Sequence, residues 1–350
     1  MTSVQHIAVP RILDLEAALA FAGQLAALSE NTLFLGVDFS AWNSVQSYEL
    51  PLRPFGMLIV SQAIRQLKIH NPAVIFAPVN LPNNDIERYA AHMGFFEACG
   101  IHVEKPYGNA RGGQTYLPMT QVKDPGLRHG SEIEKLSLSL AQQLTQRQSG
   151  ALVKTLHFSF TEVIRNVAEH AQAPDYWYCA QYWDSRGEAE IALLDCGRGL
   201  RASLRNNPII RDHVVDDRTA IKFALMPGIS GAMWQGKPQR DDDPWVNSGF
   251  GLYMNYRICN EGGSFFIASG DTGLFCEKGA EHRSTPYHLP GVALRLRMKI
   301  DTLERYDEHY HHLFVADGER EEQRIKGGVL PTGERMSRML RSSFKDIEGA

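Results

Sequence analysis

The sequence lacks the features that mark exported, membrane-spanning and nucleic-acid-coating proteins. Its five cysteines, Cys99, Cys179, Cys196, Cys259 and Cys276, are odd in number and never stand as C-x-x-C. Neither a disulfide framework nor a zinc cage is therefore expected, and a reducing compartment fits. No apolar run approaches the roughly 18 residues that span a bilayer. The opening MTSVQHIAVPRILDLEAALAF has no basic segment followed by an apolar core, so no secretory signal is expected. An excess of basic charge is also missing: 36 Lys and Arg are intermixed with 40 Asp and Glu, for a net charge of -4. No domain-wide positive field attracts phosphate backbones or anionic lipid. The expectation is a cytoplasmic protein with neither nucleic acid nor membrane as partner. What is present is ordinary globular usage, 43% hydrophobic and 22% charged over 350 residues, enough for about two domains.

The first part alternates strand and helix signals. Leu33 to Phe39 is a short apolar run of the kind a buried strand shows, and Met57, Leu58, Val60, Ala63, Ile64 and Leu67 recur at helical spacing within 55–67. Pro72 to Val79 predicts a second strand, Asn84 to Cys99 a helix ended by Gly100, and Ile101 to Glu104 a third strand. That order predicts a small α/β unit over 1–105 with parallel strands. Residues 106–130, rich in Gly and Pro, read as a connector with a short strand at Thr115 to Pro118. A second unit follows over 131–300: helices at 131–148 and 153–172, strands at 176–183 and 190–194, a helix at 251–260, and strands at 264–269 and 292–300. The tail, 301–350, is charged and partly helical. Arg295 and Arg297 alternate along the last strand and are expected to face solvent.

Three separated segments of the second unit carry chemistry. Glu162, Asn166 and His170 stand four apart, so a helix sets a carboxylate, an amide and an imidazole in one row. Such a row suits a site where a carboxylate orients a nucleophile and an amide oxygen meets a phosphate-held magnesium ion. A solvated helix face shows the same spacing. Ile191 to Leu194 is a buried-strand run ending in Asp195, followed by Gly197 and Gly199; the carboxylate can accept from an exocyclic amine, and glycines admit close approach of a ligand. Gly249, Gly251 and Leu252 open a helix whose first amides suit phosphate oxygens, although simple capping gives the same pattern.

Taken together, E-x-x-x-N-x-x-x-H, D-x-G-x-G and G-x-G-L in this order resemble the N box and glycine boxes of the GHKL ATPase superfamily. The resemblance covers 131–300 and implies an α+β Bergerat sandwich that binds ATP with Mg²⁺. It implies Asn166 as Mg²⁺ ligand, Asp195 as reader of the adenine amine, the Gly249 and Gly251 amides as phosphate donors, and Glu162 as the group that positions the attacking water or hydroxyl. His170, Gly197, Gly199 and Leu252 complete the implied nucleotide set, and Arg201 to Asn247 would be the ATP lid, mobile around 236–244 until nucleotide binds. Glu169 stands where many histidine kinases carry Lys, and no H-E-x-x-R-T-P phosphoacceptor motif is present.

The segment 30–105 resembles a STAS domain, with Leu35 to Ser40 as central strand and Phe55 to Leu67 as the helix after it. The position where such modules carry a phosphorylated Ser reads Arg53-Pro54-Phe55-Gly56, which implies a scaffold or regulatory role instead. The expected function is slow ATP hydrolysis or phosphoryl transfer to a protein Ser/Thr, driving a switch that controls a regulatory protein partner. A nucleotide-responsive interaction protein without turnover and an atypical histidine kinase are the alternatives, and homodimerisation stays open. His309 to His312 beside Asp307 and Glu308 are expected on a solvated helix, and Cys196 as a small buried thiol.

Overall fold

Strand parity decides what each face of the larger of two sheets touches. The computed structural model describes residues 4–28, 33–45, 51–102, 115–124, 130–231, 249–278, 282–303 and 308–328. The chain is mixed α/β. A three-stranded sheet of β1 (Val4–Ala8), β2 (Phe34–Asp38) and β3 (Ile75–Val79) is parallel throughout. A seven-stranded antiparallel sheet is built from β4 (Tyr116–Lys123), β5 (Asp175–Trp183), β6 (Glu188–Asp195), β7 (Gly263–Ser269), β8 (Thr272–Glu277), β9 (Arg283–Pro286) and β10 (Val292–Lys299), in the order β4-β5-β6-β10-β7-β8-β9. Among the described residues no helix is long and apolar enough to cross a membrane.

The helices sort by the sheet face they cover. α1 (Leu15–Ala26), capped by Asp14 accepting from the Ala17 N–H, α2 (Pro54–His70) and α4 (Phe95–Cys99) fill the space between the two sheets. Every residue of α2 from Pro54 to Ile64 is buried. Ile7, Leu35 and Val37 of the small sheet share one apolar core with α2 and with Trp177, Ala192, Leu194, Phe266 and Ala293 of the large one. Phe55 of α2 stands edge-on to Phe266 of β7, centroids 5.3 Å apart. On the far face, α5 (Gly130–Thr145), α6 (Ala151–His170) and α9 (Gly251–Gly262) bury Ile191, Leu193, Phe265, Ile267, Leu294 and Leu296. α3 (Asp85–His92), α7 (Gly199–Leu204), α8 (Asp217–Ala224) and α10 (Glu308–Lys326) complete the set.

Several expectations change. The helix predicted over 84–99 breaks at Gly94, which takes φ +77°. Ile101 and His102 are not strand, and the rest of that predicted strand lies outside the described residues. The short strand expected at Thr115 to Pro118 in the connector is present but longer, as β4, an edge strand paired with β5.

Arg295 does not face solvent and Arg297 is half-buried: both pair with carboxylates in the seam between α2 and the large sheet. Arg295, 4% exposed, donates from Nε to Glu190 Oε2 at 3.0 Å and from Nη1 to Ser264, while Arg297 pairs with Glu188. Arg53, just before α2, reaches Glu188 at 3.1 Å, and Arg65 reaches Asp175 at 2.9 Å. The Phe55 amide of the first turn of α2 donates to Glu190 Oε1 at 3.0 Å. The two halves are thus joined by apolar area and by an ion network whose Glu190 and Arg295 are buried and whose other arginines are partly exposed.

Replacing Glu190 by Gln leaves the Arg295 guanidinium buried without its counter-charge, at an expected cost of about 3 to 5 kcal/mol. Urea unfolding followed by tryptophan fluorescence and by helical circular dichroism should show one coincident transition, shifted down in the variant.

Candidate functional site

One cavity opens on the far face of the large sheet, where three segments distant in sequence meet. β6 ends there in Asp195, α6 passes alongside, and α9 begins at its rim. Asn166, Asp195, Gly199, Gly249, Gly251 and Leu252 all line it. Glu162 and Gly197 are not among the described lining residues; Gly197 is bonded to the lining residue Asp195, and His170 sits in the last turn of α6 with its side chain outside the described ones.

The floor is built by backbone geometry. Asp195 is 1% exposed, and its Oδ1 accepts from the Gly197 N–H at 2.8 Å. Burial raises its carboxyl from the ordinary 3.8 to about 6, against the lowering effect of the Gly197 and Val292 amides. Arg198 N–H donates to Ala171 O at 2.9 Å, which ties the loop after β6 to the end of α6. Gly199 takes φ +76°, and a Cβ there would stand 2.8 Å from Ser269 Oγ, the atom that accepts the Leu200 N–H. Gly249 takes φ +67°, a conformation side-chain-bearing residues rarely hold, and a Cβ would press on Ile229 O at 3.0 Å.

Sequence reasoning missed one wall. Ile229, Ser230 and Gly231 close the cavity opposite α6, with Ser203 and Leu204 of α7 beside them. Asn207 holds this wall through Nδ2 to Ser230 O at 2.9 Å, and Leu204, Ile210, Val214, Phe223 and Met226 pack behind it. The segment expected to be the lid is folded and packed from Arg201 to Gly231; the Gly236 to Pro244 stretch, the part expected to be mobile, lies in 232–248, outside the described residues. The Gly228-Ile229-Ser230-Gly231 run that forms this wall carries no periodicity by which the sequence marks it.

Glu162 lies at the α6/α9 contact. It is 3% exposed, 3.5 Å from Arg165 Nη1, and a Cβ on Gly251 would overlap its own Cβ. Chemically the cavity offers one desolvated carboxylate, one amide, glycine amides at the start of a helix and apolar walls from Val163, Val167, Leu193 and Leu294. No Lys or Arg is among its described lining residues. His309 and His312 are exposed on α10, and His311 is half-buried and bonded to Thr155 at 2.8 Å. Cys196 is partly buried rather than fully so, and accepts from Gln66 of α2 at 3.0 Å. No protein-family model, curated protein or solved structure matches the chain.

Asp195 binds its proton more tightly folded than unfolded, so its contribution makes the native state less stable as pH rises from about 4 to about 6. A carboxyl raised from 3.8 to about 6 corresponds to about 3 kcal/mol once both states are ionised. Asp195→Asn, without ligand, should therefore raise stability at pH 7.5 by about 1 to 3 kcal/mol, with the gap closing below pH 4; thermal melts across that range check it.

Proposed function

We propose that the chain binds ATP with Mg²⁺ in this cavity and that occupancy switches its contact with a regulatory protein partner. In this reading residues 131–300 form a GHKL-type Bergerat sandwich and the first unit is STAS-like. The observation that carries it is the convergence of Asn166, Asp195, Gly199, Gly249, Gly251 and Leu252 on one cavity from three separate segments.

Each residue has a task that its surroundings support. Asp195 keeps lone pairs for an exocyclic amine after accepting from Gly197, and the apolar walls suit a flat base. The start of α9 turns amides toward phosphate oxygens. Asn166 offers a hard oxygen of the kind Mg²⁺ takes beside water and phosphate. Among the described residues no three His, Cys, Asp or Glu form a metal cage, so a Mg²⁺ held mostly by nucleotide phosphates fits this donor set. When bound, the ion supplies charge neutralisation to the phosphates. Glu162 is the residue that would orient a water, or a protein Ser/Thr hydroxyl, toward the terminal phosphate.

A second reading, nucleotide binding without turnover, is favoured by Glu162 itself. It is buried, engaged with Arg165 and outside the cavity lining.

Calorimetry should show MgATP binding to the wild type and at least tenfold weaker binding to Asp195→Asn, because the new amide sets a donor against the base's amine. Ligand donors favour the charged carboxylate, so binding should release a proton near pH 6 and weaken as pH falls through that value. Heats in buffers of different ionisation enthalpy read this directly. No binding by wild type overturns the proposal.

With γ-labelled ATP, Glu162→Gln should lower phosphate release or transfer by about 100-fold or more while leaving nucleotide affinity within about threefold. A wild type that binds but never releases or transfers label belongs to the second reading.

A further inference from the structure

α10 belongs to none of the three motifs, yet it touches both glycine-bearing walls of the cavity. Phe250, between Gly249 and Gly251, stands edge-on to Tyr253 with centroids 6.0 Å apart. Both rings rest on Gly318 of α10, where a Cβ would lie 2.5 Å from Phe250 Cε1 and 3.1 Å from Tyr253 Cε1. Four residues on, Glu322 packs against Gly228 so closely that a Cβ there would overlap its Cγ and stand 3.0 Å from its carboxyl carbon. Ile325 joins Met226 and Ile229 in the apolar cluster behind the second wall. Positions 314, 318, 322 and 325 lie on one helical face, and that face spans both walls at the point where Gly249 meets Ile229.

A buried charge holds the helix in place. Arg257 of α9 is 1% exposed and donates from Nη1 to Asp317 Oδ2 at 2.9 Å. Its guanidinium lies 4.6 Å over the Phe314 ring, and its Nε and Nη2 have no partner. Arginine does not discharge by losing a proton, so its need for the Asp317 carboxylate persists at every physiological pH.

We infer that α10 is a positioning element of the nucleotide site, with Asp317 and Gly318 seating the Gly249 to Gly251 turn against the Ile229 to Gly231 wall. This rests on the ATP reading above and adds its regulation: α10 governs affinity for the phosphates and leaves the base subsite at Asp195 alone.

The test compares MgATP with adenosine on the full chain by calorimetry, at a temperature where circular dichroism shows every variant folded. Gly318→Ala pushes Phe250 and should weaken ATP about tenfold while adenosine stays within about twofold. Asp317→Asn, which adds no heavy atom to the contact but removes the charge Arg257 needs, should move the ratio the same way and covers the case in which Gly318→Ala does not fold. Phe250→Leu added to Gly318→Ala should restore ATP affinity by making room. Equal losses for both ligands, or no loss for either, overturn the role of α10 while the nucleotide reading stands. Failure of wild type to bind ATP overturns the nucleotide reading and this inference with it.

Discussion

Glu190 is a carboxylate that water does not reach, and the way its charge is satisfied constrains the molecule. It is 0% exposed in the middle of β6, accepts from Arg295 of β10, and accepts from the first-turn amide of Phe55 on α2. The partners come from two places in the chain, each more than one hundred residues from Glu190, so the charge is tolerated only when both are correctly arranged. Burying such a pair gains little net free energy over a well-packed apolar alternative, whereas removing one member is costly. Its consequence here is geometrical: an α2 displaced along the sheet would strand Glu190, and an α2 rotated in place would also lose the Arg65 to Asp175 pair. A carboxylate facing the positive end of a 17-residue helix adds a favourable dipole interaction to the direct bond.

The same strand carries the cavity. Side chains alternate along β6, so Glu188, Glu190, Ala192 and Leu194 face α2 while Ile191, Leu193 and Asp195 face α6 and α9. The buried carboxylates on the two faces are treated in opposite ways. Glu190 is matched by a guanidinium; Asp195 is given only backbone amides, and burial lifts its proton affinity. Desolvation without a counter-charge is the state a ligand with an N–H donor relieves, so the cost falls where it favours binding.

What could be read from the sequence follows the range of the interactions involved. α6, β6 and α9 were legible because helical spacing, an apolar run and glycine placement are local. Their convergence on one cavity is long-range: pairing of β6 with β10 sets Val292 opposite Asp195, and α6 and α9 pack on the same sheet face. β8 and β9 were not legible: Thr272 to Glu277 and Arg283 to Pro286 are short, and their pairing depends on register with β7. β1 and α1 gave too little periodic signal for their length. Arg295 and Arg297 misled because alternation of charged and apolar residues describes a sheet with one wet face. α2 dries that face, and its partner carboxylates stand more than one hundred residues away in sequence. The Ile229 to Gly231 wall has no local signature, since its shape comes from Asn207 and the apolar cluster behind it.

The start of α2 also constrains which contacts join the first unit to the cavity. A helix N-terminus is a natural anion site, and a phosphorylated hydroxyl placed there would act through that property. In this chain the place is already filled from across the interface by Glu190, and the local residues, Arg53, Pro54 and Phe55, carry no hydroxyl. A negative charge added at this point would meet a buried carboxylate instead of a vacant dipole. Any coupling between the halves would have to run through the packed seam itself: Gln66 of α2 bonds Cys196, the residue after Asp195, and Arg65 holds Asp175 at the start of β5. A shift of α2 reaches the floor of the cavity within one residue of Asp195. A ligand that fixes Asp195 resists that shift by the same free energy.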